Sequence, residues 1–273
     1  MPRIASPVAS LGMYDMPWLN RANDALWEQI AARLAAAGTI DVPDRLDRHR
    51  PLLEIWRDPA LLFAQTCGYP LMTALQGTVT PFAAPVYAWP GCEGARHCSF
   101  IVVAAGSPVE TLADLRGRRA AINGPDSNSG MNLFRHAVAK LAGGGRFFSH
   151  VVTTGSHLAS LDHVARGKAD IAAIDCVTFA LIARHRPELV EAVRVIGETA
   201  KSPALPFVTR AGATPDEIAL LREAVFDAIA DPGLGGAVEE LGLRGIEPVS
   251  AQDYAVVLGL EEEAVAAGYP TLV

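Results

Sequence analysis

Residues 119–131 read R-A-A-I-N-G-P-D-S-N-S-G-M, and this segment carries the clearest signal of the fold. Its first residues predict a short buried strand, and N-G-P-D is a turn signal. The small polar run Ser127-Asn128-Ser129-Gly130 then opens an amphipathic segment, residues 129–141, that predicts a helix. Ser and Asn are favoured caps at a helix start, but their hydroxyls and the free N–H groups there also suit an anion. The stretch therefore predicts a strand–turn–helix unit whose turn is either an ordinary cap or an anion site.

The same alternation of strand and helix continues in both directions along the chain. Short apolar, β-branched runs alternate with longer amphipathic runs, which is typical of α/β folds with parallel sheets. The predicted strands are 4–10, 61–66, 79–87, 99–105, 119–123, 150–154, 169–175, 193–198 and 207–209. The predicted helices are 17–38, 70–75, 111–115, 129–141, 156–166, 177–184, 215–230, 234–241 and 251–267.

Two further strand ends carry polar side chains. In T-T-G-S-H, Ser156 is placed to cap the next helix and His157 to present a ring nitrogen at the same edge of the sheet. Asp175 follows the apolar strand I-A-A-I, and a carboxylate there must find a donor. That donor is either an amine or hydroxyl of a ligand or the backbone N–H of a capped helix. We expect ligands of such folds to bind where these strand ends meet.

Composition excludes several classes of protein. The chain has 273 residues, of which 50% are hydrophobic and 19% charged, so it is neither disordered nor fibrous. Its net charge of −7 and the lack of a Lys/Arg block exclude a nucleic-acid footprint. No apolar run approaches the roughly 20 residues that span a bilayer. The N-terminal residues lack the apolar core of a secretory signal, so we expect a periplasmic protein if a signal has been removed and a cytoplasmic one otherwise.

Four cysteines leave the redox compartment open. Cys92 and Cys98 share the Gly/Pro-rich loop 89–98, and a bridge between them, or from Cys92 to Cys67, is sterically compatible with an oxidising setting. The fourth, Cys176, follows the strand that ends at Asp175. His97 lies in the same loop, but paired C-x-x-C spacing is absent, so we expect neither a metal nor a cofactor.

The order of these motifs resembles one family. L-R-G at 115–117, S-N-S-G at 127–130, G-S-H at 155–157 and the strand ending at Asp175 are similar to the substrate-binding proteins of phosphonate- and phosphate-type ABC transporters. These belong to the type II periplasmic-binding-protein superfamily. The resemblance is best over residues 99–198 and weaker towards both ends of the chain.

The resemblance implies an α/β fold of two lobes that close on a ligand in the cleft between them. Lobe 1 is expected to be discontinuous, residues 1–98 and 199–273, with lobe 2, residues 99–198, inserted. Aromatic residues after the first strands and Ser99 near the crossover are expected to contact the ligand. The candidate ligand-binding residues are Tyr14, Tyr69, Ser99, Ser127, Asn128, Ser129, Gly130, Ser156, His157 and Asp175. Asp126 opposes a doubly charged phosphonate, so a carboxylate, amino-acid-like or zwitterionic ligand stays open.

We therefore expect a solute-binding protein that captures a small anionic or zwitterionic molecule by lobe closure, for an ABC permease, and acts as a monomer. No residue is assigned to catalysis. The alternative is a cytoplasmic biosynthetic enzyme on the same fold, as in menaquinone- and thiamine-precursor pathways, with His157 and Asp175 supplying a general base. A third alternative, a soluble sensory or partner-binding lobe, differs only in what its closed form contacts.

Overall fold

The computed structural model of the protein describes residues 6–39 and 41–273. The strands are β1 Val8–Ser10, β2 Leu61–Gln65, β3 Val79–Tyr87, β4 Arg96–His97, β5 Ser99–Ala104, β6 Arg119–Ile122, β7 His150–Thr153, β8 Ile171–Asp175, β9 Val193–Glu198, β10 Ser202–Pro203, β11 Phe207–Arg210 and β12 Leu243–Pro248. The α-helices are α1 Asn20–Ala36, α2 Leu52–Trp56, α3 Gly68–Met72, α4 Leu133–Ala142, α5 His157–Ala165, α6 Cys176–His185, α7 Pro187–Glu191, α8 Pro215–Ala230, α9 Gly235–Leu241 and α10 Ala255–Ala266.

The chain forms two compact units. Unit 1 comprises the described residues up to Ala88 together with Pro203–Asp253, and unit 2 comprises Trp89–Ser202 and Tyr254–Val273. The sequence analysis placed everything after residue 198 in the first lobe, whereas the structure packs the C-terminal segment with the middle block. The reason is hydrogen bonding within unit 2: both Phe147 and Phe148 donate their N–H groups to the Val273 carbonyl, at 2.8 and 3.0 Å.

Unit 1 is built on a five-stranded sheet in the order β1-β2-β11-β3-β12. Helix α1 forms because apolar residues recur at helical spacing and bury one face against this sheet. Its Trp27 ring packs 5.5 Å from the Phe63 ring of β2, and Phe63 in turn lies 5.1 Å from Phe207 of β11. These contacts join the first and last thirds of the chain in one core.

Unit 2 is built on a second five-stranded sheet, in the order β7-β6-β8-β5-β9, and its inner strands are almost entirely apolar. Strands β7, β6 and β8 run parallel, while β5 runs antiparallel to both β8 and β9. The sheet of unit 1 also mixes directions, with β11 antiparallel to β2 and β3. The expectation of parallel sheets is therefore wrong outside the three-strand block of unit 2 and the β1–β2 pair of unit 1.

The sequence pattern did not predict every strand and helix of the structure. Strand β12 is an edge strand in which glycine and proline interrupt the apolar residues, so its alternation is weak. The first strand is described only from Val8, and residues 4 and 5 of its predicted span lie outside the described residues. Within the described residues, no helix is long and apolar enough to cross a membrane.

Candidate functional site

Three helices of unit 2 begin at one edge of its sheet. Strands β6, β7 and β8 are parallel, with Ile122 beside Thr153 and Ala121 beside Ala172, so their carboxyl ends share this edge. Helices α4, α5 and α6 each follow one of these strand ends. Because free N–H groups point outward at a helix start, this edge is a ready place for an anion.

The turn before α4, defined here as Ser127–Gly130, is tightly built. Residues Asn128–Asn132 form one π-helical turn, with the Asn132 N–H donating to the Ser127 carbonyl at 3.0 Å. The Ser127 hydroxyl oxygen accepts from the Gly130 N–H at 3.0 Å, which is the expected helix cap. All four residues of the turn are buried. A π turn widens the start of a helix and is frequent at functional sites, so both the cap and a ligand role are compatible with this geometry.

His157 joins this turn from the neighbouring strand end. Its Nε2 lies 2.8 Å from the Ser129 hydroxyl oxygen. The preceding residue, Ser156, is exposed and its hydroxyl accepts from the Ala159 N–H at 3.1 Å, so it caps α5. Two residues far apart in sequence thus present one hydroxyl and one imidazole side by side.

Gly130 allows this close approach. A Cβ added there would lie 1.9 Å from Oδ1 of Asn123, closer than real Cβ contacts allow, and 3.0 Å from Cε1 of His157, which is tighter than most real Cβ contacts. The Asn123 oxygen is buried and has no hydrogen-bond partner. The absence of a side chain at residue 130 is therefore what lets the turn, Asn123 and His157 pack together.

Asp175 is held by its own chain. Its Oδ1 accepts from the Thr178 N–H at 2.9 Å, which caps α6, and its Oδ2 lies 2.9 Å from Nδ1 of His97. Both side chains of this His97–Asp175 pair are at most 2% exposed. Burial alone would raise the pKa of Asp175, but the His97 contact, with smaller contributions from His157 and the Thr178 N–H, lowers it to about 2.

The surroundings of His157 favour its neutral form. Burial lowers the pKa of His157, and the nearby Asp175 offsets only part of that effect. A neutral imidazole offers one donor and one acceptor nitrogen, so the Ser129 hydroxyl and the ring can exchange donor and acceptor roles. The site is therefore made of neutral donors, with no requirement for a basic patch.

Ser99 contacts the turn through a buried hydrogen bond. It is fully buried, it pairs with Asp175 across β5 and β8, and its hydroxyl donates to the Ser129 carbonyl at 3.0 Å. Asn128 is likewise engaged, its Nδ2 donating to the Ser202 hydroxyl at 2.8 Å. Ser99 thus positions Ser129.

The two tyrosines belong to unit 1. Tyr14 follows β1, is 6% exposed, and its ring meets the Tyr87 ring edge to face with centroids 5.7 Å apart. Tyr69 lies in α3 after β2, is half-buried, and its carbonyl accepts from the Thr73 hydroxyl at 2.7 Å. Because β1 and β2 are parallel neighbours, both tyrosines follow the same edge of the unit 1 sheet. Their contact with a ligand stays a prediction.

Asp126 and the cysteines also have defined places. Asp126 is exposed, so water screens its charge from the turn beside it. Cys92 lies nearest to Cys176, with the two sulfurs 3.6 Å apart, a pair that the sequence analysis did not consider. All four cysteines are free. Within residues 6–39 and 41–273, no three His, Cys, Asp or Glu side chains are arranged to bind a metal ion.

A family model for the periplasmic substrate-binding protein of phosphonate ABC transporters matches residues 60–254. The chain belongs to this family. The match covers most of both units and includes the turn at Ser127–Gly130, His157 and Asp175. Members of this family bind a solute for an ABC transporter. The family match therefore does not favour the alternative of a biosynthetic enzyme on the same fold.

Solved structures agree on the two-lobed fold. A binding protein of an ABC phosphonate transporter from Pseudomonas aeruginosa superposes with a TM-score of 0.78 at 17% identity, covering 96% of this chain and 88% of that one. PhnD1 from Prochlorococcus marinus, solved with methylphosphonate, gives 0.72 at 14% identity, covering 94% and 97%. A Xanthomonas citri protein bound to ATP gives 0.68 at 18% identity, covering 96% and 98%. At these low sequence identities the structural similarity shows only that this chain shares the fold of these proteins.

Sequence reasoning missed two members of the site. It considered His97 only as a metal ligand, because its contact with Asp175 depends on the antiparallel pairing of β5 with β8. It assigned no role to Asn123, whose position against Gly130 follows from the packing of the turn. No local sequence signal could have found His97, because the direction of β5 follows only from its pairing in the sheet.

Proposed function

We propose that this protein binds a small tetrahedral oxyanion, an alkylphosphonate or a phosphate monoester, through the turn Ser127–Gly130 and His157. The observation that carries the proposal is the 2.8 Å contact between Ser129 Oγ and His157 Nε2 at the start of α4. Hydroxyl, imidazole and helix N–H groups are donors that suit several oxygens of one anion. The complex of methylphosphonate with PhnD1 from Prochlorococcus marinus supports the same ligand class.

The His97–Asp175 pair further restricts the class of ligand that the site accepts. The resemblance assigned to Asp175 a contact with a ligand amine or hydroxyl, but both carboxylate oxygens already have partners within unit 2. Because the Asp175 side chain is only 2% exposed, a ligand ammonium group could reach it only by displacing a buried neighbour such as His97, and an imidazole left unpaired there is costly. We therefore propose that a phosphonate lacking an amine binds at least as well as an aminoalkylphosphonate.

We propose that the protein acts in the periplasm and delivers its ligand to an ABC permease. The description of the family as periplasmic substrate-binding proteins supports both statements. The expectation of a monomer stays a prediction, and a sedimentation measurement at micromolar concentration would decide it.

Isothermal titration calorimetry tests the ligand class. The panel is methylphosphonate, aminoethylphosphonate, a phosphate monoester, malate and an amino acid, and we expect heat with the phosphorus oxyanions. Ser129→Ala removes one hydrogen bond to a charged oxygen, which contributes about 1.5–3 kcal/mol, and so should weaken binding roughly 10- to 150-fold.

Ser149→Ala is the matched control. Ser149 is an exposed serine before β7, at the other edge of the same sheet, where its hydroxyl donates to the Arg118 carbonyl. This variant should bind like the unmodified protein. A folded protein that titrates with no member of the panel, or a Ser129→Ala variant that binds as tightly as the control, would exclude the proposed function.

A further inference from the structure

Three of the four cysteines gather in unit 2, in and beside the loop 89–98. The Cys92 and Cys176 sulfurs are 3.6 Å apart. Cys98 lies across from Cys176, whose N–H donates to the Cys98 carbonyl at 3.1 Å, and the two thiols are also hydrogen-bonded. Cys176 therefore lies between two partner thiols, at the first residue of α6.

The loop is shaped to bring these sulfurs together. Gly91 has a φ of +87°, and a Cβ at this residue would lie 2.8 Å from Cβ of Cys176 and 3.0 Å from Sγ of Cys98. The loop backbone packs directly against the Cys98 and Cys176 side chains, which is possible only because residue 91 has no side chain. Two backbone hydrogen bonds between Glu93 and Arg96, at 2.9 and 3.1 Å, close the loop just beyond Cys92 and fix its course.

We propose that Cys92 and Cys176 are a covalent modification site that forms a reversible disulfide. Cys92 is half-buried, whereas Cys98 and Cys176 are fully buried, so Cys92 is the thiol of the cluster that an oxidant in solution can reach. Cys176 is the nearest partner, because its sulfur already touches that of Cys92.

The reaction needs a disulfide oxidant such as oxidised glutathione. The Cys92 thiol loses its proton, its sulfur attacks one sulfur of the oxidant, and one glutathione leaves as a thiolate that takes up a proton. The Cys176 thiol then loses its proton and attacks the Cys92 sulfur, which releases the second glutathione. Two protein thiols are oxidised by two electrons, and one glutathione disulfide is reduced to two thiols.

The bond would act on the ligand site as well as on stability. Cys176 directly follows Asp175, and Cys92 lies in the same loop 89–98 as His97, so the cross-link joins the two segments that carry the buried His97–Asp175 pair. The hydrogen bond with Cys92 and burial raise the pKa of Cys176, which keeps this thiol protonated until its neighbour is activated. The bond therefore forms only with the disulfide oxidant, and attack by the protonated Cys176 thiol is expected to be the slow step.

The test is incubation of the whole protein with oxidised glutathione. We expect the loss of two titratable thiols under denaturing conditions, a peptide map that joins Cys92 to Cys176, and a rise in Tm of about 5–10 °C that dithiothreitol reverses. Retention of all four thiols, or a map that joins any other pair, would overturn the proposal.

Three variants distinguish oxidation at this site from general oxidation of the protein. Cys67→Ser, in unit 1, should still form the bond and show the rise in Tm. Cys92→Ser should melt at the same temperature with and without the oxidant. Gly91→Ala should form the bond more slowly than the unmodified protein, because the new methyl group displaces the loop from the sulfurs.

Discussion

Replacement of Gly130 by alanine is the most direct test of the site geometry. The added Cβ would lie 1.9 Å from Asn123 Oδ1 and 3.0 Å from His157 Cε1. Real Cβ contacts essentially never come under 3.0 Å, so the Asn123 side chain must move and the His157 ring must yield by a few tenths of an ångström. Both movements disturb the contact between His157 and Ser129.

The magnitude follows from the cost of overpacking. Extra methyl groups in well-packed sites cost about 1–3 kcal/mol, partly offset by the roughly 0.4–1 kcal/mol that Gly→Ala contributes through the unfolded state. If the turn bears this cost in the bound form, phosphonate affinity falls roughly 5- to 150-fold. The Tm falls by about 2–4 °C for each kcal/mol that remains.

Calorimetric titration with methylphosphonate and a thermal melt measure the two effects. Gly106→Ala is the control, because Gly106 lies in the same unit and a Cβ there meets nothing within 4 Å. Asn123→Ala combined with Gly130→Ala removes the severest overlap, so the double variant should recover part of the lost affinity. If Gly130→Ala binds and melts like the control, the packing described for the turn is wrong.

Three further predictions concern the neighbours of the turn and the stability of the two units. The pKa of Asp175 is lowered from 3.8 to about 2 in the folded protein, so this carboxylate stabilises the fold by roughly 2 kcal/mol. That stabilisation is complete above pH 4 and is lost as the pH falls towards 2, so thermal melts from pH 2 to 6 should show Tm falling with pH. His97→Ala should abolish this pH dependence and lower Tm at neutral pH. Ser99→Ala removes the buried donor to the Ser129 carbonyl, so it should lower both Tm and phosphonate affinity, while Ser99→Thr should retain part of the affinity. If Ser99→Ala binds phosphonate as tightly as the unmodified protein, Ser99 does not position the turn. Thr214→Ala removes the capping box that Thr214 forms with Glu217 at the start of α8 and should destabilise the protein by about 1 kcal/mol with unchanged affinity, as measured by urea unfolding and titration.

Much of the local structure could be predicted from the sequence. Strand β3 and helix α8 have the predicted bounds, because long periodic segments between Gly and Pro residues leave little choice of structure. The helix start at Ser127–Gly130 was predicted for the same reason, since small polar residues follow a strand and precede an amphipathic run. The resemblance to the phosphonate-binding family rested on these local motifs, and the family match confirmed it.

The candidate site could be predicted only in part. The residues Ser129 and His157 were named, but their 2.8 Å contact depends on the parallel pairing of β6 with β7. Asp175 was expected to be either a ligand contact or a helix cap, and the structure makes it a cap with a buried partner. That partner, His97, lies far earlier in the chain, so no local pattern could reveal it.

Most strands and helices and the positions of the polar turns could be read from the sequence alone. These properties depend on hydrophobic period, turn chemistry and capping, all of which act within a few residues. The tertiary structure decided which strands pair and in which direction, and hence that His157 meets Ser129, that His97 meets Asp175 and that Cys92 meets Cys176. Strand pairing depends on packing across the whole sheet, so it is settled only when the distant segments are brought together.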